Sequence, residues 1–373
     1  MIKIPENIIL PDYRNCGLNI AAAVLAHFGV PCAHPPQADV ARMLAEKTYK
    51  NVVVMLFDGL GSMSVRELLP EDAFLRRCEN RELTAVFPPT TVAATTSIES
   101  GEAPAEHGWL GWSQYIAPLD RLVDVFLDRD SVTHEKLGEN KSVARHYMPY
   151  RNICEKLNDA GGVQAHIVSP FGTCKADTLD ALFDTAQQLC HAAGRQYIYT
   201  YWAEPDHTMH GDGVMAPGEI VHDIDRRVEA FCRAVPDDTL VLLTADHGLM
   251  DCKTLCMEDY PTLMEMCVRP FGLEARDAAF YIKPEYMDVF PQEFQKAFAD
   301  KGFWLIKSEE AVQLQLFGPG KEQALFRQSL GDYLALSAGE YALSWTYDPH
   351  PLVGMHAGLS AREMLVPLIV CKR

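Results

Sequence analysis

The sequence predicts an α/β protein built on a mostly parallel β-sheet flanked by helices, with an inserted α+β subdomain. An unbroken apolar run covers residues 52–57 and ends at Asp58. Such a run is typical of a strand buried on both faces of a parallel sheet. Further strand patterns alternate with helix patterns along the chain, as βαβ units require. Ligands of such sheets bind beyond the carboxyl ends of the strands, which is where Asp58 stands.

The elements around the opening strand follow from their apolar spacing and their stop signals. Helix patterns at residues 9–30 and 38–46 precede the strand. Beyond it, prolines and glycines end each element, as they commonly do. These signals predict a helix at 62–69, a short strand at 83–87, a helix at 92–99, and a long excursion at 103–150 with short strands at 115–116 and 123–126.

The rest of the chain continues this alternation and then departs from it. It predicts strands at 165–168, 196–202 and 239–244 and helices at 153–160, 176–193 and 218–234. From about residue 253 the rhythm changes: strand patterns at 278–282 and 303–306 enclose a helix pattern at 291–299. Through a strand pattern at 341–345 the chain then returns to the core, and it finishes on an apolar run at 364–370. We therefore predict a core of residues 1–252 and 336–373 and an inserted α+β cap subdomain of residues 253–335.

Composition narrows the class of partner. Hydrophobic residues make up 48% and charged residues 23% of the chain, which is typical of a globular protein. Lysine and arginine total 33 against 51 acidic residues, a net charge of −18. This balance disfavours a nucleic-acid polymer or an anionic membrane as the main partner, because both need a basic surface. A small anionic substrate stays compatible, since bound metal cations reverse the local field.

Cysteine usage and the first residues indicate a cytoplasmic location. The eleven cysteines are odd in number and scattered, unlike a disulfide framework. The opening residues lack the basic and apolar regions of a signal peptide. A reducing compartment is therefore expected.

Six side chains form a constellation of three aspartates and three histidines. Carboxylate and imidazole donors suit Zn²⁺ or Mn²⁺, and six of them suffice for two sites of three ligands. Most follow predicted strands, where a parallel sheet gathers its ligands. The six residues are Asp58, Asp206, His210, Asp246, His247 and His356.

Local spacing supports two pairs within this set. Asp206 and His210 are four residues apart, so a helical turn places both on one side. Asp246 and His247 follow a strand, where the turn at Gly248 brings both side chains to one ion. Taken singly, an Asp-His pair after a strand is more often a turn with a solvated carboxylate, and a lone histidine such as His356 is more often structural. Their joint occurrence at successive strand ends favours a metal centre.

Thr90 and Thr91 follow two prolines and precede an apolar helix. One interpretation is that either threonine is only the N-cap of that helix. The other is that Thr91 is a nucleophile with a pKa lowered by a metal ion, while backbone N–H groups at the helix start receive an anionic substrate. Local pattern alone leaves both open.

Taken in order, these motifs resemble those of the alkaline phosphatase superfamily, and within it the type I phosphodiesterase / nucleotide pyrophosphatase branch. The matching segments are residues 57–59, 87–91, 204–210, 246–248 and 354–356. The resemblance implies a doubly wound α/β core that holds two divalent metal ions, usually zinc, with manganese as the alternative. It also implies how the ligands divide. Asp58, Asp246, His247 and the Thr91 oxygen would hold one metal, and Asp206, His210 and His356 the other.

The same resemblance implies a two-step hydrolysis of a small phosphate or phosphonate ester. Thr91 would attack phosphorus to give a phosphothreonine, which a water activated at the second metal would hydrolyse. A phosphodiesterase is the leading expectation. The alternatives are a phosphomonoesterase or phosphomutase-like phosphotransferase of the same superfamily, and an inactive metal-binding scaffold.

One departure from the branch concerns the substrate. Its nucleotide-cleaving members usually place an asparagine after a His-Gly-x-x-Gly stretch, whereas here residues 107–111 are followed by Trp112. Nucleotide diesters are therefore not specified by this motif. Trp109 and Trp112 are candidates to wall the site, with a core role as the alternative. Arg269 and Lys283 in the insertion are candidate anion contacts, with solvated surface charge as the alternative.

Overall fold

The computed structural model describes residues 2–138 and 142–371. Its strands are β1 (Asn51–Phe57), β2 (Glu79–Thr84), β3 (Ser113–Ile116), β4 (Arg121–Asp124), β5 (Arg129–Asp130), β6 (Gln164–Ser169), β7 (Cys174–Lys175), β8 (Gln196–Trp202), β9 (Thr239–Thr244), β10 (Met250–Asp251), β11 (Lys253–Cys256), β12 (Gly272–Leu273), β13 (Asp277–Phe280), β14 (Phe303–Lys307), β15 (Tyr333–Ser337), β16 (Tyr341–Ser344), β17 (Gly354–Met355) and β18 (Leu365–Cys371).

The helices lie mainly between the strands of the larger, parallel part. They are α1 (Gly17–His27), α2 (Ala38–Glu46), α3 (Ser62–Leu68), α4 (Phe74–Arg77), α5 (Thr91–Ser100), α6 (Pro104–His107), α7 (Val143–Tyr147), α8 (Ile153–Ala160), α9 (Leu179–His191), α10 (Asp206–Asp212), α11 (Gly218–Ala234), α12 (Pro261–Met266), α13 (Phe290–Phe298), α14 (Ser308–Gln313), α15 (Phe326–Ser329) and α16 (Ala361–Met364). Within the described residues, no helix is both long and apolar enough to cross a membrane.

A seven-stranded sheet forms the centre of the molecule, in the order β2-β18-β9-β1-β8-β6-β7. The five strands from β9 to β7 run parallel to their neighbours, while β18 is antiparallel to both β9 and β2. Helices α1, α2, α5 and α8 contact one another, and so do α3, α4, α9 and α11. The predicted fold class, a mostly parallel sheet flanked by helices, is confirmed.

Strand β1 occupies the middle of this sheet, and all seven of its residues are buried. Its apolar run has no polar face because β8 and β9 pair with it on both sides and helices cover the sheet. The three adjacent strands β9, β1 and β8 therefore end side by side. Asp246, Asp58 and Asp206 follow those three ends, so the fold brings carboxylates far apart in sequence to one edge.

A second sheet of seven short strands is antiparallel, in the order β14-β15-β13-β12-β3-β4-β5. Four of its strands come from the predicted insertion and its immediate continuation, and three come from the excursion at residues 103–150. The two segments meet where Leu273 in β12 pairs with Ser113 in β3. The division of the chain at residues 253 and 335 stays a prediction.

Most predicted elements coincide with observed ones, including α2, α8, β8, α11 and β9 at their predicted bounds. The strand predicted at residues 83–87 is wrong in position, because β2 covers Glu79–Thr84 instead. It is the outer strand beside β18, where Thr84 faces Leu365 and Glu79 faces Val370. An edge strand can be largely polar, so the more apolar residues 85–87 were a misleading signal.

Candidate active site

The turn after β1 brings the ends of the central strands together. Gly59 adopts a φ of 73°, a left-handed conformation that glycine adopts without strain. A Cβ atom there would lie 2.9 Å from the Cβ of Asp206, so a side chain would separate the two turns. The Gly59 amide also donates a 3.1 Å hydrogen bond to Oδ1 of Asp246. The glycine after Asp58 therefore allows the three carboxylates to approach.

Asp58, Asp246 and His247 form the first group of candidate metal ligands. All three are buried, and one ligand atom from each lies within 4.8 Å of the others. The Nε2 atom of His247 is 3.4 Å from Oδ1 of Asp58 and 3.5 Å from Oδ2 of Asp246. On the other side of the imidazole ring, Nδ1 is 3.3 Å from the carbonyl oxygen of Gly248. A proton donated to that carbonyl leaves the Nε2 lone pair facing the carboxylates.

Asp206, His210 and His356 form the second group, with ligand atoms that also lie within 4.8 Å of one another. Asp206 and His210 share one face of α10, with 3.3 Å between Oδ2 and Nε2. The Nδ1 atom of His210 lies 2.7 Å from the carbonyl oxygen of Gly354, which orients Nε2 towards Asp206. Burial and the charges of His247 and His210 lower the pKa of His356 well below its ordinary value, so this imidazole is neutral, as a ligand must be.

The two groups adjoin, and Thr91 lies beside the first of them. The rings of His247 and His356, one from each group, stack with centroids 3.9 Å apart. Thr91 is the first residue of α5, and its Oγ1 lies 3.2 Å from Nε2 of His247. The same oxygen is 3.4 Å from both carboxylate oxygens of Asp58. The structure thus brings together all seven residues that the sequence singled out for metal binding and nucleophilic attack.

The electrostatics of the two groups fit divalent cations. Oδ1 of Asp206 and Oδ2 of Asp246 are buried without a hydrogen-bond partner among the described residues. Burial and the charges of Asp246 and Asp206 raise the pKa of Asp58 well above its ordinary value. A cation in each group would satisfy these oxygens and offset the repulsion. Carboxylate and imidazole donors match the preferences of zinc and manganese.

Sequence patterns did not single out Tyr201, which supports the first group. Its hydroxyl donates a 2.5 Å hydrogen bond to Oδ2 of Asp58. Burial and the charge of Asp58 raise the pKa of Tyr201, so its hydroxyl stays protonated and remains a donor. Tyr201 lies on β8 directly opposite Leu56 of β1. Its only sequence signal is its place near the end of a strand rich in aromatic residues.

Glu274, which follows β12 in the second sheet, was also missed. The hydroxyl of Thr90 donates a 2.6 Å hydrogen bond to Oε1 of Glu274, and the Trp112 amide donates one of 2.8 Å to the same oxygen. Thr90 occupies the N-cap position of α5 but makes no side-chain hydrogen bond to the helix. Its hydroxyl therefore anchors the second sheet beside Thr91 instead of capping the helix. An acidic residue in a turn is common, so no local pattern marks Glu274.

The two tryptophans occupy different environments. Trp109 is buried, and its indole N–H donates a 2.8 Å hydrogen bond to the carbonyl of Met148. It does not line the cavity beside Thr91, and its burial fits the core role instead. Trp112 is 40% exposed and does line that cavity. Arg269 and Lys283 are not lining residues of that cavity either. Arg269 bonds to Asp120, and Lys283 bonds to the carbonyl oxygen of Glu265.

A mostly parallel sheet that gathers two Asp/His groups and a helix-terminal threonine at its carboxyl edge defines an alkaline phosphatase superfamily protein. Residues 52–302 match the sequence profile of the type I phosphodiesterase / nucleotide pyrophosphatase family. This match covers more than half of the chain, and the chain belongs to that family. Proteins of the family are generally metal-dependent and act on phosphoric esters.

Solved structures share the fold at low sequence identity. Murine ectonucleotide pyrophosphatase/phosphodiesterase 5 superimposes with a TM-score of 0.65 at 16% identity, over 86% of this chain and 88% of that one. Its inactive variant, solved in complex with AMP, also gives 0.65. Phosphonoacetate hydrolase from Sinorhizobium meliloti, in complex with phosphonoformate, gives 0.61 at 17% identity, over 87% of this chain and 91% of that one.

Among curated proteins, phosphopentomutases of Shewanella species are similar over a shorter region. The protein from Shewanella denitrificans is 32% identical over 111 residues, which is 27% of this chain and 27% of that one. The protein from Shewanella loihica is 30% identical over the same length. The chain thus matches little more than a quarter of the length of these relatives.

Proposed function

We propose that the protein is a two-metal hydrolase of small phosphoric or phosphonic esters, with diesters as its main substrates, and that Thr91 is its nucleophile. The observation that carries this proposal is the place of the Thr91 hydroxyl, 3.2 Å from Nε2 of His247 and 3.4 Å from both oxygens of Asp58. A role in helix capping alone does not require the Thr91 hydroxyl to face a buried Asp/His group. Membership of the family supports the same reaction class.

In this proposal Asp58, Asp246 and His247 hold one divalent ion, and Asp206, His210 and His356 hold the other. The donor set and the unsatisfied oxygens of Asp206 and Asp246 support this partition. Zinc is the proposed metal, with manganese as the alternative. When bound, two such cations would stabilise the attacking and the leaving oxygen of an in-line displacement.

The chain itself supplies the nucleophile and the orientation of the phosphoryl group. The Thr91 hydroxyl, 3.4 Å from both carboxylate oxygens of Asp58, gives its proton to that carboxylate as it attacks phosphorus. The bond from phosphorus to the leaving group breaks, and the departing oxygen takes up a proton to leave as the alcohol. Amides in the first turn of α5 lack acceptors within the helix and can hold a phosphoryl oxygen. Water then cleaves the phosphothreonine and restores the hydroxyl. Tyr201 keeps Asp58 oriented through both steps.

The deciding experiment is a side-by-side assay of nitrophenyl mono-, di- and phosphonate esters with Zn²⁺ or Mn²⁺. We expect the diester or the phosphonate ester to be hydrolysed fastest, and no turnover after chelation. The metal content of the purified protein, measured by mass spectrometry, should approach two ions per chain. Content well below two ions, together with no turnover of any ester, would support an inactive scaffold instead.

A second candidate function is a phosphomonoesterase or a phosphomutase-like phosphotransferase. The similarity to phosphopentomutases over 111 residues favours it. Such an enzyme would need an acceptor hydroxyl in place of water for efficient turnover, and it would depend on Mn²⁺. Rapid transfer between sugar phosphates with slow diester hydrolysis would choose this candidate over the first.

We also propose a cytoplasmic location. All eleven cysteines are free thiols, including the Cys78 and Cys371 pair with sulfur atoms 3.6 Å apart. Thiols at that distance persist in a reducing compartment, which supports this proposal.

A further inference from the structure

Three cysteine side chains meet at the outer part of the central sheet, away from the candidate active site. Cys78 lies between α4 and β2, Cys371 is the last residue of β18, and Cys232 belongs to α11. The sulfur atoms of Cys78 and Cys371 are 3.6 Å apart, and Cys371 also hydrogen-bonds to Cys232. Cys371 stands opposite Val241, in the first half of β9, whereas Asp246 follows the other end of that strand. This thiol cluster is therefore separate from the candidate metal ligands.

The backbone holds Cys78 and Cys371 beside each other. Strand β2 pairs with β18 in a register that places Glu79 opposite Val370, and the two cysteines extend that register by one residue on each chain. The Cys78 amide also donates a 3.1 Å hydrogen bond to the carbonyl oxygen of Phe74, which ends α4. Facing residues of antiparallel strands have Cα atoms about 4.5–5.5 Å apart, which is within the range of a disulfide. A bond between the two sulfur atoms therefore requires a change of side-chain torsion and not a shift of the strands.

The two thiols differ in exposure and acidity. Cys78 is half-buried, whereas Cys371 is 2% exposed. The hydrogen bond with Cys371 lowers the pKa of Cys78. Arg77 acts in the same direction, against burial and the carboxylates of Asp225 and Glu229. Hydrogen bonds with its two thiol neighbours, together with burial, raise the pKa of Cys371 well above its ordinary value. Cys78 is thus the thiol that meets a reagent as a thiolate, and Cys371 is its protonated neighbour.

We propose that Cys78 and Cys371 form a reversible disulfide site that reacts with low-molecular-weight disulfides such as oxidised glutathione. The Cys78 thiolate attacks one sulfur of the reagent, whose S–S bond breaks and releases one thiolate. The Cys371 thiol then attacks the Cys78 sulfur of the mixed disulfide. The proton of Cys371 passes to the departing sulfur, and the second thiol of the reagent leaves. In total, two protein thiols are oxidised to a disulfide and one reagent disulfide is reduced to two thiols.

The disulfide would join the edge strand β2 covalently to β18. Strand β2 stands at the end of the sheet and pairs with β18 alone, so a single set of backbone hydrogen bonds holds it there. The two cysteines are 293 residues apart in sequence, and a link that closes so long a loop strongly restricts the unfolded chain. Stability, and not the chemistry at Thr91, is therefore the property that oxidation changes. This inference does not depend on the proposed function.

Oxidised glutathione tests the site on the metal-loaded wild-type protein. The protein is equilibrated with mixtures of reduced and oxidised glutathione, free thiols are blocked with N-ethylmaleimide, and linked peptides are identified by mass spectrometry. We expect a link between Cys78 and Cys371, with the loss of two free thiols, in oxidised glutathione and its full reversal in reduced glutathione. The proposal would be overturned by the absence of this link, by a link from Cys371 to Cys232 in its place, or by a link that persists in reduced glutathione.

Two variants separate the roles of the thiols. Cys371→Ser should accumulate a mixed disulfide with glutathione at Cys78, because the attacking thiol remains and its partner is lost. Cys78→Ser should leave Cys371 unmodified, because that thiol is buried and protonated. The matched control is Cys32→Ser, which removes another half-buried thiol and should leave the link unchanged. A mixed disulfide at Cys371 and none at Cys78 would contradict the assigned order.

A time course of the wild type gives the same information without a substitution. Samples quenched with acid should show the mixed disulfide at Cys78 before the link to Cys371 appears. The test therefore stands even where Cys371→Ser does not fold. A mixed disulfide that appears first at Cys371 would refute the order of attack.

Thermal unfolding measures the consequence of the link. Oxidation should raise the Tm of the wild type by about 5 °C, because the link restricts the unfolded chain, and should leave the Tm of Cys78→Ser unchanged. A linked protein with the Tm of the reduced form would show that the disulfide does not stabilise the edge of the sheet. Hydrolysis of bis(p-nitrophenyl) phosphate should proceed with the same kcat/KM before and after oxidation. Absence of hydrolysis in both states would overturn the reaction class alone, since the link is measured independently of turnover.

Discussion

The Tyr201 hydroxyl donates a 2.5 Å hydrogen bond to Oδ2 of Asp58 across the neighbouring strands β8 and β1. Asp58 is buried beside the carboxylates of Asp246 and Asp206. The hydrogen bond from Tyr201 restrains the rotation of the Asp58 carboxyl group. Groups that orient a metal ligand in this manner commonly change metal affinity when they are removed. The relationship therefore yields a prediction that does not depend on turnover.

Tyr201→Phe should weaken binding of the ion held by Asp58 by about tenfold or more, because the carboxylate loses its orienting donor. The measurement is metal affinity by competition with a coloured chelator. Tyr199→Phe is the matched control on the same strand, since the Tyr199 hydroxyl is buried and has no partner among the described residues. Equal affinities in the two variants would mean that Tyr201 has only a packing role.

Thr91→Ala should reduce hydrolysis of an activated diester by roughly a thousandfold or more, because the nucleophile is lost. Both metals should remain bound, since six other ligands are unchanged. Thr91→Ser, which keeps a hydroxyl at the same carbon, should retain measurable activity and form a covalent phosphoenzyme detectable by mass spectrometry. Near-normal hydrolysis by the alanine variant would refute the nucleophile assignment.

Asp58→Asn and Asp206→Asn should each affect a different ion. Because the two residues lie in separate groups, Asp58→Asn should lower the affinity of one ion by roughly a hundredfold and leave the other nearly unchanged. Asp206→Asn should give the reciprocal pattern. Isothermal titration calorimetry, with Zn²⁺ added to each metal-free variant, measures the metal affinity of both sites. Equal weakening of both ions in each variant would contradict the proposed partition.

Glu99→Gln should change how stability depends on pH. Burial raises the pKa of Glu99 to about 7, against an ordinary value of 4.5, despite the nearby Arg145 and the Tyr150 hydroxyl. The folded state therefore holds this proton over a range where the unfolded state has lost it, and stability falls as pH rises from 4.5 to 7. Glu99→Gln should remove this pH-dependent loss of stability, because glutamine does not ionise.

The thermal midpoint of Glu99→Gln should therefore match that of the wild type near pH 4.5 and exceed it at pH 8. Glu71→Gln, at an exposed carboxylate, serves as the control and should follow the wild type at both values. Measurements in one metal buffer keep the contribution of the two metal groups constant. A Glu99 variant that is less stable at pH 8 would show that the ionised carboxylate is well compensated in the folded protein.

The sequence revealed the central sheet because its strands are continuously apolar and end in polar residues. Asp58, Asp206 and Asp246 could be placed at one edge, since parallel strands beside one another must end together. His210 followed from helical spacing. The division of the six ligands into two groups came from the family resemblance and not from spacing, because strand order is a long-range property that a single sequence does not encode locally.

Other features could not be predicted for the same physical reason. Tyr201 acts on Asp58 only because β8 pairs with β1 in one register. Glu274 reaches Thr90 only because the second sheet folds against the start of α5. Strand β2 was predicted in the wrong position because it is largely polar, and polar residues are tolerated in an edge strand that pairs only with β18. In each case the deciding contact joins residues that are far apart along the chain.

The second sheet has a consequence for how the protein is made. Strand β3 pairs with β12, and the Trp112 amide meets Glu274, although most of the central sheet is encoded between the two segments. During synthesis from the N-terminus, β3 stays unpaired on this side until β12 has been made. Pairing strands so far apart in sequence also carries a large loop-closure cost, which slows the assembly of this sheet. The second Asp/His group can be completed only after His356 has been synthesised, although the residues of the first group are present once His247 has been added. A nascent chain is therefore expected to complete the second Asp/His group and the wall of the cavity late in synthesis, so products truncated before residue 356 would lack the full site.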